Sequence, residues 1–246
     1  MKTILRKRVL VAMLATAFLL VISMVTSCKT NDPALNLATK PEAVAANNAS
    51  SAGVYKGVIV GSSGYFNLSI KNGSDAITCK FVFDGKEVAL TSTSFGSWAA
   101  GQPINKAVFT GTLNGQTINL TFSCDANGAN PVTTVTIPGH TVYTVVIKEK
   151  SDVLVRCYEG TYTVAKTSGL INGIWNFVAY KPSTVNGSLV AGYHADPQSN
   201  GEFYGDEVDG VLQIGDGPLQ MTETTVSGSF KNGAGELITV TGKRTY

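Results

Sequence analysis

From Gly53 to the C-terminus, apolar and polar residues alternate in short runs separated by turn-forming residues. Alternation with a period of two is the strand pattern. No window after residue 50 carries the 3.6-residue period of an amphipathic helix for more than a turn or two. The runs fall at 54–60, 65–71, 77–83, 86–92, 107–113, 117–123, 133–137, 141–148, 153–164, 174–180, 211–214, 221–231 and 236–243. Asn114-Gly115, Asn232-Gly233 and Asp84-Gly85 lie between such runs, and these dipeptides favour tight hairpins because both residues accept positive φ. Short strands, frequent turns and no intervening helices predict an all-β fold of antiparallel sheets closed into barrels or sandwiches.

The pattern echoes itself. Tyr55-Lys56-Gly57 is answered by Tyr158-Glu159-Gly160, 103 residues on. The hairpin around Gly111, ending in Gly115, is answered by the one around Gly228, ending in Gly233, at an offset of 117. Internal duplication is therefore expected, giving two tandem small β-barrel or sandwich modules at 53–150 and 151–246. Each has enough strands to close on itself, and one larger barrel is the alternative.

The N-terminus has a different composition. Lys2, Arg6, Lys7 and Arg8 precede an apolar run from Val9 to Val25, which ends in Val25-Thr26-Ser27-Cys28. A positive end, an apolar stretch short for a stable span, and polar sequence beyond it are the anatomy of a secretory signal. Val25-Thr26-Ser27-Cys28 resembles the lipobox of bacterial lipoproteins: an aliphatic residue, two small residues and the lipid-modified Cys. The resemblance covers the first 28 residues and implies diacylglycerol on Cys28, cleavage before it, and acylation (palmitate) of the new N-terminus. Two or three acyl chains hold a protein on a bilayer almost permanently. The expected partner is thus a membrane, reached through a lipid anchor in the bacterial cell envelope. Lys29 follows the Cys where the family's inner-membrane retention signal has Asp, which favours the outer membrane. Residues 28–52 are rich in Ala, Asn, Ser and Thr and read as a flexible tether.

Charge changes the picture once it is located. The formal +2 of the chain becomes −2 without residues 1–27, so its basic balance is no sign of a nucleic-acid partner. From Pro182 to Phe230 there is no Lys or Arg and there are seven acidic residues. This Gly-rich stretch reads as an acidic loop at 193–217 on a β scaffold, a usual place for function. Asp196, Glu202, Asp206, Asp209 and Asp216 are its candidate ligand- or cation-binding residues. Calcium is the cation such oxygens suit, although the spacing departs from the EF-hand loop. His194 beside Asp196 is a weak metal candidate.

No cofactor is required by any motif, since P-loop, GxGxxG, CxxC, HExxH and GxSxG elements are all missing. The expected function is a non-enzymatic, ligand- or partner-binding or structural β-domain, its protein or glycan ligand unnamed. The alternative is a carbohydrate-active hydrolase using carboxylates of the acidic loop, which would depend on their separation. Cys79 and Cys124 share the first module and form the candidate disulfide, but Cys79, Cys124 and Cys157 as buried, reduced, strand-facing residues is the favoured reading. Trp98 and Trp175, with Tyr55, Tyr65, Phe66, Phe81, Phe83 and Phe109, read as core residues or as the lining of a barrel mouth.

Overall fold

The computed structural model describes residues 37–182, 185–214 and 217–246. Cys28 and the lipobox lie outside them. Sixteen antiparallel strands follow one short 3-10 turn at Ala45–Asn47. In the first module they are β1 (Gly53–Val60), β2 (Gly64–Ile70), β3 (Ile77–Phe83), β4 (Lys86–Leu90), β5 (Ile104–Leu113), β6 (Gln116–Cys124), β7 (Val132–Thr136) and β8 (Tyr143–Glu149). In the second they are β9 (Val155–Lys166), β10 (Gly169–Tyr180), β11 (Ser188–Ala195), β12 (Asn200–Val208), β13 (Val211–Ile214), β14 (Gly217–Met221), β15 (Thr225–Lys231) and β16 (Leu237–Arg244). All sixteen lie in one compact unit, Asn36–Tyr246, which carries its own cores.

Both modules are eight-stranded meanders. β9 to β16 pair in sequence order and β16 pairs back onto β9, closing a barrel. In the first module a five-stranded sheet, β4-β3-β2-β1-β8, faces a three-stranded sheet, β5-β6-β7. Their seams carry no continuous ladder: one holds the bridge Thr91↔Thr110, and at the other Thr133 Oγ1 donates to Thr144 Oγ1 at 2.9 Å while Thr144 Oγ1 donates to the Thr133 carbonyl at 2.8 Å. The first module is thus the same meander flattened into a sandwich, with aromatic rings packed across its middle. Tyr55, Phe66, Phe81, Phe83, Phe109 and Phe122 lie within its core, with Tyr55 and Phe122 edge to face at 4.6 Å.

The echo maps onto this topology in part. Tyr55-Lys56-Gly57 and Tyr158-Glu159-Gly160 both lie on the first strand of their module. Gly57 pairs with Phe66 and Gly160 with Trp175, each an aromatic on the second strand. The two Gly-rich hairpins occupy different places, β5–β6 in one module and β15–β16 in the other.

Asn114-Gly115 and Asp84-Gly85 form the expected two-residue turns, with both residues at positive φ. Asn232-Gly233 does not. The β15–β16 connection runs from Lys231 to Leu237, and Asn232 Oδ1 accepts from the amides of Ala234 and Glu236 to shape a wider loop.

Three further expectations are corrected. The stretch 193–217 is not a loop: it contains the end of β11, all of β12 and β13, and the start of β14. Glu202 and Asp206 belong to the outward half of β12, a period-two strand in which they and Tyr204 are exposed and alternate with Phe203 and Gly205. Cys79 and Cys124 form no disulfide. Cys79, Cys124 and Cys157 are free and buried, Cys79 opposite Leu68 and Leu90, Cys124 with its Sγ 3.4 Å from the Tyr55 hydroxyl. Finally, the described part of the tether, 37–52, is fastened to the fold. The backbone amide of Glu42 donates to Glu149 Oε1 at 2.6 Å, Asn72 bonds both Glu42 and Val44, and Ser51 N donates to the Ala126 carbonyl. Polar bonds order this segment where its apolar content alone offers too little surface.

At that junction Lys56 and Glu149 are both 0% exposed and 2.7 Å apart. Glu149 also accepts from Val155 N at the start of β9, and Lys56 lies 3.5 Å from Glu42 and 5.0 Å from the centre of the Tyr246 ring. Breaking a buried pair by removing one partner strands the other charge. Lys56→Met is expected to cost about 3–5 kcal/mol of stability, read from the urea midpoint at constant slope. A cost below about 1 kcal/mol, the value of a surface pair, would show that the junction does not depend on it.

Candidate functional site

The two modules differ in what fills them. In the barrel, glycines sit beneath aromatic rings: Gly160 opposite Trp175, Gly173 opposite Tyr162 and Gly192 opposite Phe203 in strand register, with Phe230 lying over Gly217. A Cβ at any of these four positions would overlap the ring above it. The rings therefore lie flat against the wall, and the space beyond them remains open.

That space is a cavity of about 360 Å³ opening at one end of the barrel. Its wall is Val164, Ile171, Trp175, Phe203, Ile214, Leu219, Phe230, Ile238 and Val240. In the barrel core, outside the cavity lining, Tyr158 and Phe177 stack at 4.8 Å with an interplanar angle of 4°. The open end collects the hairpin connections β9–β10, β11–β12, β13–β14 and β15–β16, which supply the polar rim: Lys166, Gln198, Ser199, Asn232 and Glu236, with Asp196 and His194 just inside. An eight-stranded barrel is about the smallest that can hold one small ligand, and an apolar pocket with a few placed polar groups is the usual form of a small-molecule site.

The rim is ordered by its own hydrogen bonds. The Tyr162 hydroxyl donates to Asp196 Oδ2 at 2.5 Å and lies 3.4 Å from His194 Nδ1. Asp196 Oδ1 accepts from the amides of Gln198 at 2.6 Å and Ser199 at 2.8 Å. Partial burial opposes the charge on Asp196, but the Tyr162 hydroxyl and those two amides outweigh it and hold its carboxyl below the usual range. Burial pushes the Tyr162 hydroxyl up, reinforced by Asp196, and pushes the His194 ring down, opposed by Asp196. Lys166 donates to Gln198 Oε1 at 3.1 Å and stands 3.9 Å from Glu236, whose other oxygen accepts from Asn232 Nδ2.

The sequence-based candidates are dispersed. Among the described residues, Asp196 is the one acidic candidate that borders the cavity, with His194 beside it. Glu202 and Asp206 face outward on β12, where Glu202 accepts from the Tyr204 hydroxyl. Asp209 is in the two-residue turn after β12, at the opposite end of the barrel, and Asp216 lies outside the described residues. Among the described residues no three His, Cys, Asp or Glu side chains come together as a metal group. Trp175 lines the cavity, whereas Trp98 packs with Phe95 at the margin of the first core and Tyr65 stacks on Tyr246 at 5.1 Å. Tyr162, Lys166, Phe230 and Glu236 belong to the site and carried no signal in the sequence beyond a Gly on the neighbouring strand for each of the two rings.

The chain matches no protein-family model, and no curated protein or solved structure matches it.

The Gly–aromatic pairs make the cavity testable as packing. Gly192→Ala sets a methyl against Phe203 and Phe177 and is expected to destabilise by about 1–3 kcal/mol. Gly233→Ala, with nothing within 4 Å, is the control and is expected to stay within about 0.5 kcal/mol. Equal urea midpoints for the two variants would show that Phe203 does not rest on Gly192.

Proposed function

We propose that this is a lipid-anchored protein of the bacterial cell envelope that binds a small, largely apolar molecule inside its second module. The observation that carries the reading is the hollow barrel: a largely apolar chamber of about 360 Å³ rimmed by ordered polar groups. Burying apolar ligand surface there at about 25 cal/mol per Å² supplies the affinity, while the rim supplies orientation. The anchoring is supported by the basic N-terminus, the apolar run and the resemblance of Val25-Thr26-Ser27-Cys28 to a lipobox.

A binding role is favoured over hydrolysis by the state of Asp196. A glycosidase's general acid needs a carboxyl held protonated near neutrality. Asp196 is held ionised instead, by a phenol and two amides.

Two experiments test the two halves. The folding unit 36–246 is expected to bind the neutral apolar dye N-phenyl-1-naphthylamine at one site, and Ile238→Trp, which fills the chamber, to weaken that binding at least tenfold. Undiminished binding by the filled variant would place the dye elsewhere and remove the support for the barrel. In bacteria expressing the full chain, Cys28→Ala is expected to abolish incorporation of labelled palmitate and release the protein from the membrane fraction. Retention of both would exclude the lipid anchor.

A further inference from the structure

A second cavity, of about 400 Å³, lies apart from the barrel chamber and shares no lining residue with it. It is a cleft between the N-terminal segment at Asn48, the β6–β7 loop at Asn127 and Pro131, the end of β8, and Tyr180 at the end of β10 away from the chamber's rim. Lys148 is half-buried in its wall. The Lys148 ammonium donates to the Ser50 carbonyl and, at 2.8 Å, to the Ala52 carbonyl, and lies 5.3 Å from the centre of the Tyr55 ring. The β6–β7 loop closes over this ammonium at Gly128, where a Cβ would overlap Nζ.

Those two carbonyls hold the charge without neutralising it. The lining contains Lys148 and Lys150 and no Asp or Glu, and the ion pairs among the described residues all involve other cations. Asp125 and Asp152, close to these segments in sequence, are outside the lining, and Asp125 accepts from Asn130 Nδ2. Burial pushes the Lys148 amine down to about 8, opposed by Cys124 and reinforced by Lys150, as befits a cation without a counter-charge. The cleft also has donors to spare among the described residues: one N–H of Lys148, three of Lys150 and both of Asn127 Nδ2. The Oδ1 atoms of Asn48 and Asn127 already accept from the amides of Ser151 and Ala129, while the Tyr180 hydroxyl can serve either way.

We propose that this cleft is a second ligand site and that it takes an amphipathic anion, its acidic head held by Lys148 and Lys150 and its apolar body lying against Pro131, Ile147 and Tyr180. An ammonium is a point charge, so carboxylate, sulfate and phosphate heads all suit it. An amine head would meet two like charges, and an alcohol would engage the donors without supplying the missing charge. A free amphipathic acid and an anionic phospholipid share this chemistry.

Hexyl sulfate, hexan-1-ol and hexylamine share one chain and differ in the head, so calorimetric titration of 36–246 with each near neutral pH separates them. Hexyl sulfate is expected to bind most tightly and hexylamine least. Neither lysine borders the barrel chamber, so substituting them reads the cleft alone. Lys150→Glu, on an exposed side chain, is expected to weaken hexyl sulfate by about tenfold, the worth of one charge-assisted hydrogen bond, and to leave hexan-1-ol unchanged. Lys148→Met is expected to act in the same direction, and the Lys150 variant decides the matter should that one fail to fold. Saturation with hexyl sulfate should also raise the Lys148 amine toward its ordinary value, followed by NMR of lysine-labelled protein. Hexylamine binding as tightly as hexyl sulfate, no binding of the sulfate, or a sulfate affinity indifferent to the Lys150 substitution would overturn the proposal. Sedimentation of 36–246 with phosphatidylcholine vesicles only when they contain phosphatidylglycerol, and its loss in Lys150→Glu, would make the anion a membrane lipid. Sulfate binding without such sedimentation would make it a soluble acid.

Discussion

Lys56 and Glu149 are sealed from solvent at a point where the N-terminal segment, both modules and the C-terminus meet. Removing two such charges from water costs several kcal/mol each, and their attraction offsets this only where the surrounding hydrogen bonds are complete. They are nearly complete here: Glu149 accepts from Lys56, from the amide of Glu42 and from the amide of Val155. Glu42 in turn takes the Tyr246 hydroxyl and Asn67 Nδ2, so the two ends of the described chain lie against the same buried pair. An apolar replacement of equal volume could fill the space, but it would leave the amides of Glu42 and Val155 without their acceptor. The pair therefore fixes how β9 leaves β8, and with it the position of the barrel against the sheet. The same contact face includes Asn176 donating to the Ile59 carbonyl at 2.6 Å and the apolar cluster of Val58, Val155, Cys157 and Val178.

Two meanders of equal strand number have become a sandwich with rings across its middle and a closed barrel with an open chamber, and the difference lies in where aromatic rings stand. In the first module rings from facing sheets meet in the middle, as with Tyr55 and Phe122, and the sheets close down on them. In the second, Tyr162, Phe203 and Phe230 lie over glycines of the neighbouring strand, so each ring uses wall space that a side chain would otherwise occupy. Full closure matters as well. A sandwich with two weak seams can flatten to eliminate space, whereas a barrel with every strand paired on both edges keeps a radius set by strand number and stagger. The chamber follows from that fixed radius together with side chains that fold back upon the wall.

Most of this architecture is legible as far as Tyr180, because β1 to β10 fall in apolar, β-branched or alternating runs and several of their turns carry Asn-Gly, Asp-Gly or Gly-rich signals. The sequence pattern misses β11, β12 and β14, where composition speaks louder than period, although the run at 211–214 coincides with β13. Glycine and carboxylates suggested a loop, yet Phe203 and Gly205 face inward while Glu202, Tyr204 and Asp206 face out. Asp209-Gly210 is the same turn dipeptide as Asp84-Gly85, with both residues at positive φ. The N-terminal segment was misread for the opposite reason: its fastening is polar, through Glu42, Asn48 and Asn72, and counting apolar residues is blind to it. The cavity was legible least. Its volume is a small difference between barrel radius and side chains on strands as far apart in sequence as β9 and β16, and no local pattern encodes such a difference.

The corrected strand assignment also changes what the acidic residues can be for. Charges on an open sheet edge deter pairing with other chains, but β12 and β13 have both edges paired inside a closed barrel, so edge protection has no object there. Glu202 and Asp206 on β12 keep a Gly-rich wall wetted on one side while its other side stays apolar. Asp196 differs by its place, at a hairpin connection on the open rim. The described chain reaches the barrel at the far end, where Ala38 O accepts from Arg244 and where β8 hands over to β9. With a lipid on Cys28, nine residues before Leu37, the attachment would belong to the closed end. Nine residues reach at most about 30 Å, comparable with the length of the barrel. A ligand would then enter from the aqueous side, past the rim, and the polar collar rather than the bilayer would be what selects it.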